Sequence, residues 1–337
     1  MKTLRIAILS FAHMHAYSYA DVLSRTPNVE LVAVADPDDT RREQLRRRYP
    51  NVKSWYDDHR KLLDSTPCDA VIIASENANH AALTLDALAA RMHVLCEKPL
   101  ATTLADARRM IEAAQRANRI FMTAFPVRFS PAIVRAKQAI DNGELGRILG
   151  AATSNHGSMP GGWFVIPELA GGGAVIDHTV HVVDLLRWLF SAEVEEVYAE
   201  YANRLYPEIP CEDVGLLLFT LDNGAIVTLD TSWSRCKTYP IWGDVKLEIR
   251  GEQGRLSLDC FPLQVARFDD KHGRAQAFSL SDNLDALMLE EFLSAVRDNR
   301  QPAVTGEDGL RALEVALAAY RSQREMRPVR ITELRDE

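Results

Sequence analysis

The chain has 337 residues, and its 39 Lys and Arg residues against 47 Asp and Glu residues give a formal net charge of −8. At about 100–200 residues per domain, this length predicts two domains. A hydrophobic fraction of 47% and a charged fraction of 26% are typical of a globular protein and exclude disordered, collagen-like and coiled-coil classes. The acidic balance argues against nucleic acid as the main partner, because phosphate binding requires a surplus of Lys and Arg.

No apolar run approaches the ~18–20 residues that span a bilayer, so no membrane partner is expected. Residues 1–9 are basic and then apolar, but this run is too short for a signal peptide and fits a buried first strand. The five cysteines are scattered and include no CxxC pair: Cys68, Cys96, Cys211, Cys236 and Cys260. We therefore expect no disulfide framework, no structural zinc and a reducing, cytoplasmic location.

Strand and helix patterns alternate over residues 1–125. Apolar runs predict strands at Leu4–Leu9, Glu30–Asp36, Asp69–Ala74, His93–Cys96 and Ile120–Ala124. Helical patterns predict helices at Thr40–Arg48, Ala78–Ala90 and Leu104–Ala117, the last with Thr103 as its N-cap. The strands are apolar on both faces, as in a parallel sheet that helices cover on both sides. We therefore predict an α/β domain with a doubly wound parallel sheet over residues 1–125.

The second half of the chain has a different pattern. Further helices are predicted at Ala132–Asn142, Val175–Leu189, Asn283–Arg297 and Gly306–Glu325. A Gly-rich stretch occupies residues 157–173, and apolar and polar residues alternate from Val194 to Phe268. Turn signals interrupt this alternation at Asp222-Asn223-Gly224, Gly251 and Gly254. We predict for residues 126–337 an α+β domain built on a large antiparallel sheet.

The loop after the first strand, Ser10–His15 (SFAHMH), lies where a Rossmann dinucleotide-binding domain carries GxGxxG. All three glycine positions are replaced, by Ser10, Ala12 and His15. Because those glycines allow a tight turn and close approach of the backbone to a pyrophosphate, the loop alone only weakly indicates such a domain. We hypothesise that a histidine, His13 or His15, supplies a pyrophosphate hydrogen bond at the start of the helix. The alternative is that both rings pack or face solvent.

A carboxylate ends the second strand. Asp36 lies ~20 residues past the loop, where an acidic side chain suits the adenosine ribose hydroxyls of NAD and repels the 2′-phosphate of NADP. The alternative is a turn residue before Pro37. Arg41 and Arg42 follow on the next helix and keep NADP as the lesser possibility.

Two further motifs place charged groups where ligands bind. Glu97-Lys98-Pro99 follows the strand at His93–Cys96, and this position places Lys98 at the carboxyl edge of the sheet. Asp177 and His181 are four residues apart on a predicted helix, so they share one face.

The chain resembles the glucose–fructose oxidoreductase/inositol dehydrogenase/rhizopine-catabolism (Gfo/Idh/MocA) family nearly end to end. The motifs are CEKP at Cys96–Pro99, RFSP at Arg128–Pro131, GGGAVIDHTVHVVD at Gly171–Asp184, DNGA at Asp222–Ala225 and TGEDGLRALEVALAAYRS at Thr305–Ser322. The resemblance implies a Rossmann-fold, nicotinamide-dependent dehydrogenase of sugars or polyols, with Lys98, Asp177 and His181 as its catalytic residues. It also implies a homo-oligomer, a dimer or tetramer, that pairs through the C-terminal sheet. The phosphate loop departs from the family pattern.

Oxidation of a secondary alcohol requires removal of the hydroxyl proton as hydride leaves for the nicotinamide C4. His181 is the first choice for general acid/base, because the ordinary pKa of imidazole is about 6.5. Asp177 either orients His181 or binds a neighbouring hydroxyl of the substrate. Lys98 stabilises the developing alkoxide or relays the proton. The alternative for His181 is a hydrogen-bonded core histidine.

The predicted NAD site comprises Ser10, Ala12, His13, Met14, His15, Asp36, Ser75, Glu76, His80, Glu97, Lys98 and Arg128. The predicted substrate site comprises Lys98, His156, Trp163, Asp177, His178 and His181. The alternative role of Arg128 is an ion pair that joins the domains. The alternative role of Trp163 is a position in the core or at an interface. His178 lies about 100° around the helix from Asp177, which favours a different partner.

Two other interpretations stay open. The side chains of His156, Asp177, His178 and His181 are suitable metal ligands, but a lysine beside them would repel a divalent cation, and we expect no metal. The fold also suits a non-catalytic ligand-sensing or regulatory protein, or a chain whose sheet serves mainly in assembly.

Overall fold

The computed structural model describes residues 2–239, 241–261, 264–269, 274–279 and 282–335. Its first sheet contains six parallel strands in the order β3-β2-β1-β4-β5-β6. These are β1 (Leu4–Leu9), β2 (Val29–Ala35), β3 (Ser54–Tyr56), β4 (Ala70–Ile73), β5 (His93–Cys96) and β6 (Phe121–Thr123). The order is that of a doubly wound Rossmann sheet, which confirms the predicted α/β fold. The five predicted strands are confirmed to within one residue at each end, whereas β3 was not predicted.

Five helices follow strands of this sheet or the loops between them. They are α1 (His15–Leu23), α2 (Asp39–Arg48), α3 (His59–Ser65), α4 (His80–Ala89) and α5 (Leu104–Ala117). Thr103 caps α5 as predicted, because its Oγ1 accepts the Asp106 N–H at 3.1 Å. Asp38 caps α2 in the same way through the Arg41 N–H. Side-chain caps therefore fix where both helices begin.

The second sheet has seven strands in the order β12-β11-β7-β10-β9-β8-β15. They are β7 (Ile148–His156), β8 (Val194–Ala202), β9 (Val214–Leu221), β10 (Ile226–Ser232), β11 (Lys246–Gly251), β12 (Arg255–Asp259) and β15 (Val329–Arg330). Two more strands, β13 (Gln264–Asp269) and β14 (Arg274–Ser279), pair with each other. The predicted turns are confirmed: residues 222–224 join β9 to β10, and the Gly251 N–H donates to Gly254 O at 2.8 Å.

The prediction of an antiparallel sheet is wrong for one pair of strands, because β7 and β10 run parallel and make the sheet mixed. We did not predict β7, since its residues Gly150, Ala151 and Ala152 have low strand propensity. A parallel pair requires a long crossover, and here the connection from β7 to β10 contains α7 (Pro167–Ala170), α8 (Ala174–Phe190), β8 and β9.

The helix α8 packs against β7, β9 and β10 and is buried along nearly its whole length. It confirms the helix predicted at Val175–Leu189. The other helices of this half are α6 (Pro131–Asp141), α9 (Leu284–Asp298), α10 (Gly306–Glu325) and α11 (Ile331–Arg335). Among the described helices, none combines the length and the apolar character that crossing a bilayer requires.

The chain divides into two compact units. The first comprises Met1–Pro126 and Asp285–Leu310, and the second comprises Val127–Leu284 and Arg311–Glu337. The first boundary of this division lies one residue after the predicted boundary at 125/126, and the division also assigns residues 285–310 to the first unit. That segment packs on the first unit: Thr123 Oγ1 donates to Thr305 O at 3.0 Å, and a Cβ on Gly306 would lie 2.7 Å from the Phe121 ring. The sequence patterns did not indicate that residues 285–310 belong to the first unit.

Candidate active site

The loop between β1 and α1 keeps a tight turn without its usual glycine. Ser10 adopts a left-handed backbone with a φ of 71°, a conformation that glycine adopts most readily. Its Oγ accepts the Ala12 N–H at 3.1 Å. The next residue, Phe11, donates its N–H to Asp36 Oδ2 at 2.7 Å. Side chains of Ser10 and Asp36 thus hold the turn.

The following amides of this loop also have acceptors within the chain. The His13 N–H donates to Ala74 O at 2.9 Å, and the His15 N–H donates to His13 Nδ1 at 3.2 Å. Met14 is the N-cap residue of α1, and its side chain is exposed. Since so many loop amides are engaged, a pyrophosphate here depends on side chains and on the start of α1 more than in a glycine loop.

A buried carboxylate joins this loop to β5. Glu97 is fully buried, and its Oε1 accepts hydrogen bonds from the Tyr19 hydroxyl and from His15 Nδ1, the latter at 3.0 Å. His13 Nε2 lies 3.9 Å from Glu97 Oε2. The Lys98 N–H donates to the same Oε2 at 3.1 Å. Glu97 therefore links the phosphate loop to the predicted catalytic lysine, which is itself buried.

The charges of this cluster determine its pKa values. Burial alone would raise the pKa of Glu97, but the charges of His13 and His15 and the hydrogen bonds from His15 and Tyr19 outweigh it and hold that pKa well below its ordinary value. Burial would lower the pKa of His15, but Glu97 outweighs it and raises that pKa. The interaction between Glu97 and His15 therefore favours the ionised form of both groups.

The same cluster is the group, within the described part of the chain, whose ligand atoms lie close enough to hold a metal ion. The nitrogens of His13 and His15 and an oxygen of Glu97 lie within 4.8 Å of one another. His13 Nδ1 already pairs with the His15 N–H, and His15 Nδ1 already pairs with Glu97 Oε1, so these nitrogens have partners within the chain. The hydrogen bonds account for the arrangement, and the expected absence of a metal stays a prediction.

The acidic residue at the end of β2 is buried and fixed by backbone amides. Besides the Phe11 N–H, Asp36 accepts the Asp38 N–H at its Oδ1, at 2.9 Å. Burial raises its pKa, although both amides and Arg41 act in the opposite direction. A pocket of about 440 Å³ opens beside it at the strand ends. Four carboxylate residues line this pocket: Asp36, Asp57, Asp58 and Glu76.

The two arginines near this pocket already have carboxylate partners. Arg41 Nε lies 3.3 Å from Asp36 Oδ2. Arg42 donates through Nη2 to Asp39 Oδ1 at 2.6 Å and through Nη1 to Asp36 O at 2.6 Å. Their charges are therefore largely balanced by neighbouring acids.

His80 lies between two backbone carbonyls, and its predicted cofactor contact stays a prediction. The ring is fully buried, with Nδ1 at 2.9 Å from Pro99 O and Nε2 at 3.3 Å from Ser75 O. It ties the loop after β4 to the segment after β5, and burial lowers its pKa. The neighbouring predicted residues, Ser75 and Glu76, line the 440 Å³ pocket.

In the second unit, three glycines precede α8, and two of them have no room for a side chain. A Cβ on Gly172 would lie 2.0 Å from the Tyr320 hydroxyl oxygen, and one on Gly173 would lie 2.1 Å from Glu212 O. Glu212 Oε1 accepts the Gly173 N–H at 2.8 Å and the Tyr320 hydroxyl at 2.6 Å. It also accepts the Val175 N–H at 3.1 Å, so this carboxylate caps α8.

Asp177 and His181 lie one turn apart on α8, as the spacing predicts, and both are buried. Asp177 Oδ2 accepts the Trp233 indole N–H at 3.2 Å. His178 Nε2 lies 3.3 Å from the same oxygen, and His178 Nδ1 lies 2.8 Å from Asn155 O. The fully buried ring of His178 lies between Asp177 and a backbone carbonyl, and its predicted substrate contact stays a prediction.

Arg128 is engaged in an ion pair inside the second unit. Its Nε donates to Asp184 Oδ2 at 2.9 Å, and its Nη2 donates to Asp184 Oδ1. The guanidinium carbon also lies 5.8 Å from the centre of the Trp188 ring. This bidentate pair joins Arg128 to α8 within one unit, and the predicted cofactor contact of Arg128 stays a prediction.

The two remaining predicted substrate residues are less enclosed. His156 lies between two carboxylates, with Nε2 at 3.1 Å from Asp230 Oδ2 and Nδ1 at 3.2 Å from Asp244 Oδ2. Trp163 is partly exposed, and its ring stacks on Phe164 with 3.8 Å between the ring centres.

Sequence reasoning missed several partners of these residues. Tyr19 lies four residues after His15 on α1, so helical spacing could have placed it on the same face. Glu212 and Tyr320 are 108 residues apart, and no local pattern relates them. Asp184 and Asp244 were also missed as the partners of Arg128 and His156.

Comparisons with known proteins agree with the motifs. Residues 4–125 match the GFO/IDH/MocA description "Oxidoreductase family, NAD-binding Rossmann fold", and residues 133–257 match the GFO/IDH/MocA C-terminal domain. Myo-inositol 2-dehydrogenase of Thermotoga maritima is 29% identical over 98% of this chain and 99% of its own. Inositol 2-dehydrogenase of Acidothermus cellulolyticus is 32% identical over 88% of this chain and 85% of its own.

A solved structure supports the same relationship. GenD2 from gentamicin A biosynthesis, crystallised in complex with NAD, superposes with a TM-score of 0.87 at 25% identity and covers 98% of this chain and 97% of its own. The chain belongs to the GFO/IDH/MocA oxidoreductase family.

Proposed function

We propose that this protein is an NAD-dependent dehydrogenase that transfers a hydride between NAD and a hydroxyl or carbonyl carbon of a sugar, inositol or related polyol. The observation that carries the proposal is the set of three ionisable residues, Lys98 after β5 and Asp177 and His181 on one face of α8. Relatives that align over nearly their whole length are inositol dehydrogenases. A non-catalytic ligand-sensing role does not require this set.

Each residue of the set has a distinct chemical task. NAD supplies the hydride acceptor at its nicotinamide. His181 takes the hydroxyl proton as general base and returns it in the reverse direction. Lys98 stabilises the developing alkoxide through its positive charge. Asp177 accepts a hydrogen bond that orients His181 or a neighbouring substrate hydroxyl.

The cofactor preference is proposed to be NAD rather than NADP. The 440 Å³ pocket beside Asp36 has carboxylates on its wall, which repel a 2′-phosphate and accept hydrogen bonds from ribose hydroxyls. Arg41 and Arg42 are already paired with acids and are poorly available to a phosphate. Titration with each cofactor tests this: NAD should bind at least about tenfold more tightly. Tighter binding of NADP would contradict it.

The pyrophosphate is proposed to lie at the start of α1, beside His13 and His15. His15 is partly exposed, and Glu97 raises its pKa, which favours a protonated ring with a positive charge where the glycines are missing. We expect His15→Ala to weaken NAD binding roughly tenfold, and His13→Ala to weaken it less. If both variants keep the affinity of the wild-type chain, the idea fails. The remaining proposed cofactor contacts are Ser10, Ala12, Met14, Ser75 and Glu76.

The substrate side is proposed to include His156 and Trp163 besides the set on α8. A partly exposed Trp ring stacks well on the face of a sugar. His156, held between Asp230 and Asp244, offers a polar group of fixed orientation.

A substitution of the lysine tests the catalytic proposal. Absorbance at 340 nm, with NAD and a panel of polyols, should report turnover by the wild-type chain. Lys98→Met should lower kcat by about 10³-fold or more while NAD binding is largely kept, because the charge acts on the reacting oxygen. Lys61→Met, at an exposed lysine paired with Asp57, is the matched control and should be fully active. Full activity of Lys98→Met would contradict the catalytic role of Lys98. If the wild-type chain binds the cofactor but turns over no polyol, the ligand-sensing role is favoured.

We also propose a cytoplasmic homo-oligomer that pairs through the second sheet. Three exposed apolar side chains lie on one face of its strands, namely Leu216, Leu218 and Ile226, and the exposed Leu149 lines the same surface hollow as Ile226. A second copy of the chain would bury them. Leu216→Glu with Leu218→Glu should shift the mass measured by light scattering toward the monomer, and a wild-type chain that is already monomeric would contradict the proposal.

A further inference from the structure

Lys98 lies in a buried segment that has left the sheet. The strand β5 ends at Cys96, and Glu97, Lys98 and Pro99 follow it. The Glu97 N–H still donates to Ile73 O at 3.0 Å, but within the described part of the chain no backbone amide donates to Pro99 O. A carbonyl that is buried without a donor is costly, so a side-chain donor is expected there.

One buried ring is placed to supply that donor. His80 is the first residue of α4, and its Nδ1 lies 2.9 Å from Pro99 O, while its Nε2 lies 3.3 Å from Ser75 O. Carbonyl oxygens only accept hydrogen bonds, so a ring nitrogen pairs with one only while it carries a hydrogen. Burial lowers the pKa of His80, which favours the neutral ring with a single N–H. The shorter contact indicates that Nδ1 donates to Pro99 O.

The residue on the other side of Lys98 is held by a different helix. Glu97 is hydrogen-bonded to the Tyr19 hydroxyl and to His15 Nδ1 of α1. Its Oε2 accepts the Lys98 N–H at 3.1 Å. The two chain neighbours of Lys98 are therefore held by α1 and by α4. Because both contacts are made by buried groups, close packing opposes a shift of the backbone between them.

We propose that His80 is a positioning residue for Lys98: its Nδ1–H holds the Pro99 carbonyl and so fixes where the lysine ammonium lies. The role requires no contact between His80 and NAD. A shift of about 1 Å in the position of Lys98 can lower the rate about 100-fold, because the charge no longer faces the developing alkoxide. The catalytic consequence rests on the proposed function, whereas the hold on Pro99 does not.

Two amide substitutions separate the two nitrogens of the ring. The amide nitrogen of His80→Asn occupies nearly the place of Nδ1, because both lie two bonds beyond Cβ. The longer side chain of His80→Gln carries its amide nitrogen toward the place of Nε2. His80→Asn therefore keeps a donor for Pro99 O, whereas His80→Gln moves the donor toward Ser75 O.

Turnover by these variants tests the positioning role. We expect His80→Asn to keep kcat within about threefold of the wild-type chain and His80→Gln to lower it about 10–100-fold. NAD affinity should stay within about threefold in both, since the effect is on the lysine. Urea unfolding checks that both variants are folded under the assay conditions. His93→Gln, at the start of β5 and so at the other end of the strand from Lys98, is the control and should keep full activity. Equal kcat in His80→Asn and His80→Gln would overturn the positioning role.

Hydrogen exchange followed by mass spectrometry tests the hold on Pro99 without turnover. In the full chain free of cofactor, the amides of residues 97–101 should exchange at least about fivefold faster in His80→Gln than in the wild-type chain or His80→Asn. The amides of β1 should exchange equally in all three, which distinguishes a local release from a general loss of stability. Unchanged exchange of residues 97–101 in His80→Gln would overturn the hold. If the wild-type chain oxidises no polyol, the proposed function fails, and the exchange result alone decides whether His80 holds this segment.

Discussion

The two places in this chain where a glycine motif is expected differ in what the glycines do. Before α1, Ser10 occupies a glycine position and still adopts a φ of 71°. Before α8, glycines are retained at Gly171–Gly173, and a Cβ on Gly173 would lie 2.1 Å from Glu212 O. A side chain can replace glycine where only a turn is required, but not where another backbone fills the space.

Each motif also has a buried carboxylate beside it, and the pKa values of the two carboxylates shift in opposite directions. Burial raises the pKa of Glu212 despite its hydrogen bonds from Tyr320 and two amides. Glu97 is buried as deeply, but the charges of His13 and His15 lower its pKa. His13 and His15 therefore lower the pKa of Glu97 despite its burial, whereas the hydrogen bonds to Glu212 do not overcome burial.

The largest expected effect is that of a methyl group before α8. Gly173→Ala would force a Cβ against the backbone carbonyl of Glu212, which cannot move without shifting the α8 cap. We expect the free energy of unfolding to fall by about 3 kcal/mol or more in urea denaturation. Gly254→Ala is the control, because its Cβ would have Glu144 O as its nearest atom at 3.8 Å. Similar stabilities for the two variants would show that the steric account of Gly173 is wrong.

The next largest effect is expected at Glu97, the buried carboxylate beside the phosphate loop. Glu97→Gln keeps the volume of the side chain but removes the charge that pairs with His15, and it leaves buried donors poorly satisfied. We expect a loss of about 2–3 kcal/mol of stability, and weaker NAD binding because the loop is less ordered. Glu112→Gln, at an exposed pair with Arg116, should change stability by less than about 1 kcal/mol. If Glu97→Gln loses no more stability than Glu112→Gln, the buried cluster around Glu97 does not stabilise the loop.

Local patterns predict most of the first sheet. Strands β1 and β5 match their predicted ranges, because short apolar runs that are buried on both faces are distinct in sequence. The spacing of Asp177 and His181 likewise predicts their shared face on α8. We did not predict that Asp285–Leu310 belongs to the first unit, because this assignment depends on tertiary packing and not on a local pattern.

The missed features share a long sequence separation. Glu97 and His15 are 82 residues apart in sequence. They come into contact because α1 begins at the edge of the sheet where β5 ends. The strand β7 lacks a strong strand pattern and is fixed by pairing with β10 and β11. Arg128 has a charge that suits a cofactor phosphate, but the structure pairs it with Asp184. Residue type alone does not distinguish a ligand contact from an internal ion pair.

The pH dependence of stability tests the charge of the loop. The pKa of His15 is raised above 6.5 in the folded chain, so its contribution is full below that pH and is lost as the pH rises through the folded value. The difference in unfolding free energy between the wild-type chain and His15→Gln should therefore shrink above about pH 6.5. Glu97 has a lowered pKa, so its contribution is full above 4.5 and is lost only as the pH falls through the folded value.

His93 gives a control of opposite sign. Burial and the charge of Arg119 lower the pKa of His93, so the wild-type chain should lose stability relative to His93→Asn as the pH falls below about 6.5. Urea unfolding at a series of pH values measures both differences. Curves for His15→Gln and His93→Asn that follow the same direction would contradict the assignment of His15 to the Glu97 ion pair.

The smallest expected effect is at the glycine position that the chain has replaced. Ser10→Gly relieves a left-handed serine, worth about 1–2 kcal/mol, but it adds freedom to the unfolded chain and removes the hydrogen bond from Ala12, together worth a similar amount. We expect a change of less than about 1 kcal/mol in unfolding free energy. Ser10→Val should instead destabilise the chain by more than about 2 kcal/mol, because a β-branched side chain opposes a positive φ. If Ser10→Val is as stable as Ser10→Gly, the requirement at this position is not conformational.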